Sequence, residues 1–495
     1  MDITGKSLID GAWQTTDESM QFKAFYPEQN EFGEDVFFEA TSDMVTQACQ
    51  ASYQAFKQYR QLTAQERAIF LNTIAENILA LGDELIQVTM RESGLPEQRL
   101  QGERMRTVNQ LRLFASELES GKQTDIVEAA QPDRQPLPKP STRLTHLPVG
   151  PVAVFGASNF PYAFSVLGGD TASALAAGCP VVVKGHPAHP MTSELMATAI
   201  LRAIDSCNLP AGVFALLQAS APQVSHQLVA NPYIKAVGFT GSFAVANSLL
   251  ATIKQRQELI PFYGELGSIN PQILLPELIN QKAEELATNL VGSMMMGQGQ
   301  FCTSPGVWFV PKQQPTFFAQ VEEALASQPS APLLTPGILA SFQRQTKALR
   351  QLPQVGLVGA NTPEKDHYPV AQVVATDLAS FAEIPELQEE VFGPFAVIVE
   401  YDELNAVVEF IEQLPGQLTA SIHGNSQEIE TNQALVEALS YRVGRLIYNQ
   451  MPTGVEVCAS MNHGGPYPSS TDVKSTSVGL EAKQRFVRPI CIQGE

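Results

Sequence analysis

The chain has 495 residues, 44% of them hydrophobic and 17% charged, which gives length for two or three domains with real cores and excludes wholesale disorder. Its 31 basic and 51 acidic residues leave a net charge of −20, a surface that repels nucleic acid and anionic membrane yet allows a local basic pocket. No apolar run approaches the roughly 20 residues that span a bilayer, the N-terminus has no apolar signal segment, and six scattered cysteines predict reduced thiols in a cytoplasmic protein, five of them as core packing.

In chain order, residues 43–120 alternate helical patterns with short polar breaks. Asp43 is the expected cap of the first helix, and Thr63-Ala64-Gln65-Glu66 reads as a capping box before the next. Residues 121–142 change character: the prolines between Pro132 and Pro140 exclude helix and predict an extended arm. From 147 onward strands at 152–155, 180–184, 213–217 and 234–239 alternate with helices at 171–177, 191–204 and 243–250. Apolar strands alternating with helices predict a parallel sheet covered on both faces. A second α/β texture runs from 265 to 449, with its clearest strand at 395–399. The tail after 452 carries few helical signals, and 486–492, which contains Pro489, reads as an edge strand. Paired with the arm, it forms a small sheet that reaches a neighbouring subunit.

Three motifs carry chemistry. Gly297-Gln298-Gly299-Gln300-Phe301-Cys302 puts a cysteine in a Gly-rich bend directly after a helical run. Glu265-Leu266-Gly267-Ser268 lies 37 residues upstream, and Asn159-Phe160-Pro161 a further 106 residues back. A thiol, a carboxylate and a carboxamide are the parts of covalent acyl chemistry: nucleophile, base for water, and donor to an oxyanion. Cys302 attacks only as thiolate and so asks for a low local pKa. The apolar flanks of Glu265 (Ile260, Pro261, Phe262, Leu266) are expected to raise its pKa, as suits a general base. On the opposite side, Gly238-Phe239-Thr240-Gly241-Ser242 ends a strand and opens a helix, a place where free N–H groups hold phosphate. Lys184 closes the strand 180–184, at the edge of the sheet where ligands gather.

These motifs, with Glu390-Val391-Phe392-Gly393-Pro394, resemble those of the aldehyde dehydrogenase superfamily, in the same order and over nearly the whole length. The resemblance implies two parallel-sheet α/β domains and a small β oligomerisation arm. A Rossmann-like cofactor domain would comprise 1–120 and 146–262, the catalytic domain 263–452, and the arm 121–145 and 466–495. It implies that Cys302 attacks the aldehyde, that Asn159 and the Cys302 N–H stabilise the oxyanion, and that Glu265 activates water on a thioester. Glu390, beside Phe392, resembles the residue that holds the nicotinamide ribose. Lys184 and Ser242, with Gly241, resemble the adenine-ribose and phosphate contacts. No step needs a metal, and the enzyme is expected as a homodimer or homotetramer.

Two departures from the family pattern stand out. Pro187 occupies the place where NAD-preferring relatives often carry a glutamate, so no like charge opposes a 2′-phosphate. NADP is the expected cofactor, NAD the alternative, with His186 as a phosphate neighbour. Ser268 replaces a frequent glycine. It marks a subgroup, and Ile260-Pro261-Phe262-Tyr263, Gln300-Phe301-Cys302-Thr303 and His463-Gly464-Gly465-Pro466-Tyr467-Pro468 are similar to two branches: the α-ketoglutaric semialdehyde (2,5-dioxovalerate) dehydrogenases and the NADP-dependent fatty-aldehyde dehydrogenases. The first is preferred. Phe155, Tyr162, Phe164 and Phe301 are expected as aromatic walls, with 449–457 closing the substrate mouth. A CoA-acylating enzyme would not need Glu265. A non-catalytic protein on this fold would be free to lose the triplet.

Overall fold

A computed structural model describes residues 3–17, 19–121 and 125–494; residues 1–2, at the N-terminus, and 122–124 of the expected arm lie outside them. Two seven-stranded sheets dominate. In the first, Phe262–Glu265, Ala236–Thr240, Val152–Phe155, Val181–Lys184 and Phe214–Leu217 run parallel in that order. Ser7–Ile9 and Ala12–Gln14 then extend it antiparallel. The central strands Val152–Phe155 and Phe214–Leu217 are buried along their whole length, as a sheet covered on both faces requires. Helices Gly169–Ala177 and Pro190–Ser206 pack on one face, and Ser42–Tyr59 with Pro222–Ala230 and Phe243–Ile253 on the other.

The second sheet orders Gly356–Ala360, Gln372–Asp377, Phe395–Tyr401, Val307–Pro311, Gln272–Leu274, Gln417–His423 and Val443–Tyr448, parallel except at its first strand. Its two faces bury separate apolar clusters, one around Phe309, Phe381 and Phe342, the other around Trp308, Phe317 and Leu290. A third, antiparallel sheet joins Ile126–Glu128, Thr142–Pro148 and Val487–Gln493. Val487–Gln493 is one of its edges, which tolerates Pro489.

The capping box at Thr63 and Glu66 is present. The first helix is capped by Thr41 instead of Asp43, because Thr41 has the extended backbone that a cap requires and accepts the Met44 N–H, whereas Asp43 already lies in the first turn. Core packing holds for the buried Cys49 and Cys179 and for the half-buried Cys207, which packs against the first core; Cys458 is partly exposed and Cys491 is exposed, on the outer strand of the third sheet.

Candidate active site

The first sheet delivers Glu265 at the end of an edge strand, and the second domain delivers Cys302 from the bend after helix Pro276–Met295. That bend forms because Gly297, Gln298 and Gly299 take left-handed backbone at φ of 56°, 56° and 67°. A Cβ at Gly299 would overlap the Gly393 carbonyl, so glycine is obligatory there. The Asn270 side chain holds the backbone of 302–304 in place. Its Nδ2 donates to the carbonyls of Cys302 (2.8 Å) and Ser304 (2.9 Å), while its Oδ1 accepts from Thr419 Oγ1 (2.9 Å). Ser268 is no idle replacement for glycine: its hydroxyl lies 2.9 Å from both Asn270 Oδ1 and Gln417 Oε1 and locks this buttress to the second sheet.

Cys302, Glu265 and His463 converge, with one donor atom of each within 4.8 Å of the others. His463 Nε2 lies 2.7 Å from Glu265 Oε1 and 3.4 Å from Cys302 Sγ. The first contact is short but off the line of a good hydrogen bond. Ser477 Oγ donates to the other carboxylate oxygen at 2.8 Å. Burial pushes the Glu265 carboxyl up, yet the close His463 imidazole and the polar contacts from Ser477 and Cys302 outweigh it and hold the pKa below the ordinary value. The expectation of a raised pKa therefore fails, because polar partners from 463 and 477 replace the apolar neighbours of the local sequence. Cys302 also departs from expectation. Burial and the Glu265 carboxylate push its thiol well above its ordinary range, so the resting group is neutral. These three donors are also a set that could take a metal ion, which would have to displace the thiol proton.

Asn159 is buried close by. Its Nδ2 donates to the Gln300 carbonyl at 2.9 Å, and its own carbonyl accepts from Arg99 Nη2 at 2.6 Å. The Arg99 guanidinium stacks between Phe160 and Phe301, 5.0 and 4.7 Å from the ring centroids.

Cys302 borders two cavities. One, of about 810 Å³, is lined by Lys184, His186, Pro187, Gly241, Ser242, Glu265, Glu390 and Phe392, so every expected cofactor residue is gathered there. Its features fit a dinucleotide. The Lys184 ammonium makes no hydrogen bond among the described residues, and burial brings its pKa down to about 8. Ser242 caps helix Phe243–Ile253, whose first N–H groups open on the cavity. A Cβ on Gly241 would press on the Phe239 ring at 2.9 Å, leaving the backbone bare on the ligand side. His186 accepts the Ala188 N–H on Nδ1 and stacks on His189. Burial, then His189 and Lys184, hold it well below its ordinary pKa, so it offers a neutral N–H. Glu390 presses against Gly267, and burial raises its carboxyl to about 7.

The other cavity, of about 790 Å³, is lined by Phe160, Phe164, Phe301 and Thr303 and by residues between Gln450 and Glu456, so the segment expected at the substrate mouth does border it. Two expected walls are elsewhere. Phe155 faces the first cavity, and Tyr162 is fully buried with its hydroxyl on Thr89 Oγ1 at 2.7 Å. Gln298 turns away to the Pro329 carbonyl. Sequence reasoning gave no role to His463, Asn270, Arg106 or Arg445. The one signal for Arg106 was spacing, since Arg99, Glu103 and Arg106 share a helical face at i, i+4 and i+7, and Arg445 on its strand had none.

The profile of the aldehyde dehydrogenase family matches residues 13–486. The chain is 42% identical to alpha-ketoglutaric semialdehyde dehydrogenase 2 of Azospirillum brasilense, over 100% of this chain and 95% of that one. It is also 42% identical to the alpha-ketoglutaric semialdehyde dehydrogenase of Acinetobacter baylyi, over 92% and 88%. Among solved structures it resembles a mutant of aldehyde dehydrogenase C from Pseudomonas syringae in complex with NAD+ and octanal. The TM-score is 0.84 at 21% identity, covering 99% of this chain and 96% of that one.

Proposed function

This chain belongs to the aldehyde dehydrogenase family, and from that premise we propose that its aldehyde is 2,5-dioxovalerate, which it oxidises to 2-oxoglutarate. The enzyme is a nicotinamide-dependent oxidoreductase that converts an aldehyde to a carboxylate. The observation that carries the mechanism is the place of Cys302, at the one point where the cofactor-shaped cavity and the aromatic cavity meet.

Cys302 is the nucleophile. Its neutral thiol passes its proton to Glu265 as Sγ adds to the aldehyde carbon, and the carboxylate is held ionised for that purpose by His463 and Ser477. The developing alkoxide is met by the second Nδ2 hydrogen of Asn159 and by the Cys302 backbone N–H, each preorganised by the bend. A bound nicotinamide cofactor supplies the oxidant that turns the sulfur-bound hemiacetal into a thioester. Glu265 gives up the thiol proton to solvent and, ionised again, takes a proton from water, which attacks the thioester, returns the sulfur as leaving group and releases the acid. No step requires a metal.

We assign the cofactor as NADP, with Lys184 as the cation for its phosphates. Pro187 puts no carboxylate beside His186; Glu39, whose charge reaches Lys184, is taken up by Ser220 and the Ala221 N–H; and the carboxylates lining the cavity, Glu265 and Glu390, stand with Cys302 at the reacting end. Residues 1–120 and 146–262 serve the cofactor, 263–452 the chemistry, and 121–145 with 466–495 assembly in the cytoplasm. Exposed Ile126, Val127 and Leu137 support a homodimer or homotetramer built on the arm. Initial rates with 2,5-dioxovalerate and with aliphatic aldehydes of increasing length, each with NADP and NAD, test this reading. The highest kcat/KM is expected for 2,5-dioxovalerate with NADP. An efficiency that climbs with chain length would replace it with a fatty-aldehyde enzyme.

A further inference from the structure

A chain of net charge −20 places two guanidinium groups on the wall of its aromatic cavity. Arg106 rises from helix Glu97–Glu119 and stacks on Phe164, 5.0 Å from the ring centroid. Its Nε donates to the Val455 carbonyl at 3.1 Å, and Nη2 is buried without a partner. Arg445 comes from the other wall, on the edge strand Val443–Tyr448. Its Nη1 and Nη2 donate to the carbonyls of Gly454 (2.9 Å) and Pro452 (2.6 Å), and its Nε is buried without a partner.

Both heads are thus aimed by the backbone of 452–455, and neither makes a salt bridge with a described carboxylate. Glu103, the nearest buried acid to Arg106, spends one oxygen on the N–H groups of Tyr162 and Ala163. Glu456 lies exposed at the rim and accepts the Val457 N–H. Burial lowers the pKa of both arginines, and Cys302 is among the groups whose charge reaches each of them. Glu103, whose second oxygen is buried without a hydrogen bond, offsets part of the charge on Arg106, and Arg445 has no carboxylate among the groups that act on it. Two desolvated guanidinium groups held by no salt bridge and flanking one nucleophile ask for a further anion between them.

We propose that Arg106 and Arg445 form a carboxylate clamp that grips the acid end of an aldehyde acid and so presents its aldehyde carbon to Cys302. Phe160, Phe164 and Phe301 pack the intervening carbons. Planar guanidinium forks match a carboxylate better than ammonium does, and fixing one end of a short chain fixes the other. The clamp rests on the substrate reading above, but it selects the carboxylate and not the 2-oxo group, so the two separate experimentally.

The test compares kcat/KM for 2,5-dioxovalerate, 5-oxopentanoate and pentanal in the wild type, Arg106→Gln and Arg445→Gln. 5-Oxopentanoate and pentanal match in length and differ at the carboxylate. The wild type is expected to favour 5-oxopentanoate, and each substitution to lower that ratio by about 30-fold or more, mainly through KM. A wild type that favours pentanal, or a ratio unchanged in both variants, overturns the clamp. A wild type that favours 5-oxopentanoate over 2,5-dioxovalerate, with the ratio lost in the variants, keeps the clamp and refutes the substrate assignment. Should turnover vanish in a variant, protection of Cys302 from iodoacetamide by 2-oxoglutarate reads the same site. Protection is expected in the wild type and lost in both variants, and equal protection in all three would overturn the clamp.

Discussion

Replacing His463 with Leu removes the one imidazole that faces both reacting groups. In the folded protein Glu265 is fully enclosed, and its partners besides His463 are the Ser477 hydroxyl and the Cys302 thiol. Without His463 the burial penalty on the carboxylate prevails and its pKa moves up. Losing a polar partner in contact with a buried charge costs about 1.5–3 kcal/mol, which corresponds to a loss of about 10- to 100-fold in the rate of any step that needs the ionised carboxylate. The loss is greatest at acidic pH and shrinks as pH rises, because high pH restores the base. Measuring kcat from pH 5 to 9 in wild type and variant should therefore show the acid limb displaced toward higher pH. Stability moves with it. A depressed carboxyl contributes stability above its unfolded pKa and loses it as pH falls through the folded pKa, so the variant unfolds at a higher pH on acid titration. An acid limb that superimposes on the wild type, with full kcat, would refute the role assigned to this contact.

Lys184 has a pKa of about 8 and is the cation expected at the cofactor phosphates. NADP affinity, followed by titration calorimetry, should weaken about tenfold between pH 7 and pH 9, and Lys184→Met should bind weakly with no such dependence. Asn270→Ala should lower kcat by about 10- to 100-fold and stability by about 2–4 kcal/mol, since it removes buried hydrogen bonds and sets alanine at a φ of 45°; single-turnover rates and thermal unfolding measure the two effects. Gly299→Ala should cost at least 100-fold in kcat/KM, because the new Cβ meets the Gly393 backbone and displaces the cysteine bend; steady-state rates measure it.

What local pattern could reveal was legible. The strand Val152–Phe155 matches its reading residue for residue, and the neighbouring strands differ at their ends by one or two residues, because a fully apolar run bounded by Gly and Pro has few alternatives. The hairpin of Gln21–Tyr26 and Glu31–Phe38 went unread, its alternation broken by a bulge at 23–25. The nucleophile bend could be located by its glycines. The partners that set its chemistry could not, since His463 approaches Glu265 from 198 residues away and arrives only when the tail folds back. The misjudged pKa of Glu265 has the same cause: adjacent residues announce an apolar setting, and distant ones supply the polar contacts.

The raised thiol of Cys302 has a consequence for the life of the protein between turnovers. Peroxide and electrophiles attack thiolates, and the protonated form reacts slowly with them. A nucleophile that rests with its proton beside a carboxylate is therefore expected to lose its thiol to hydrogen peroxide slowly in the resting enzyme, which a peroxide inactivation time course measures.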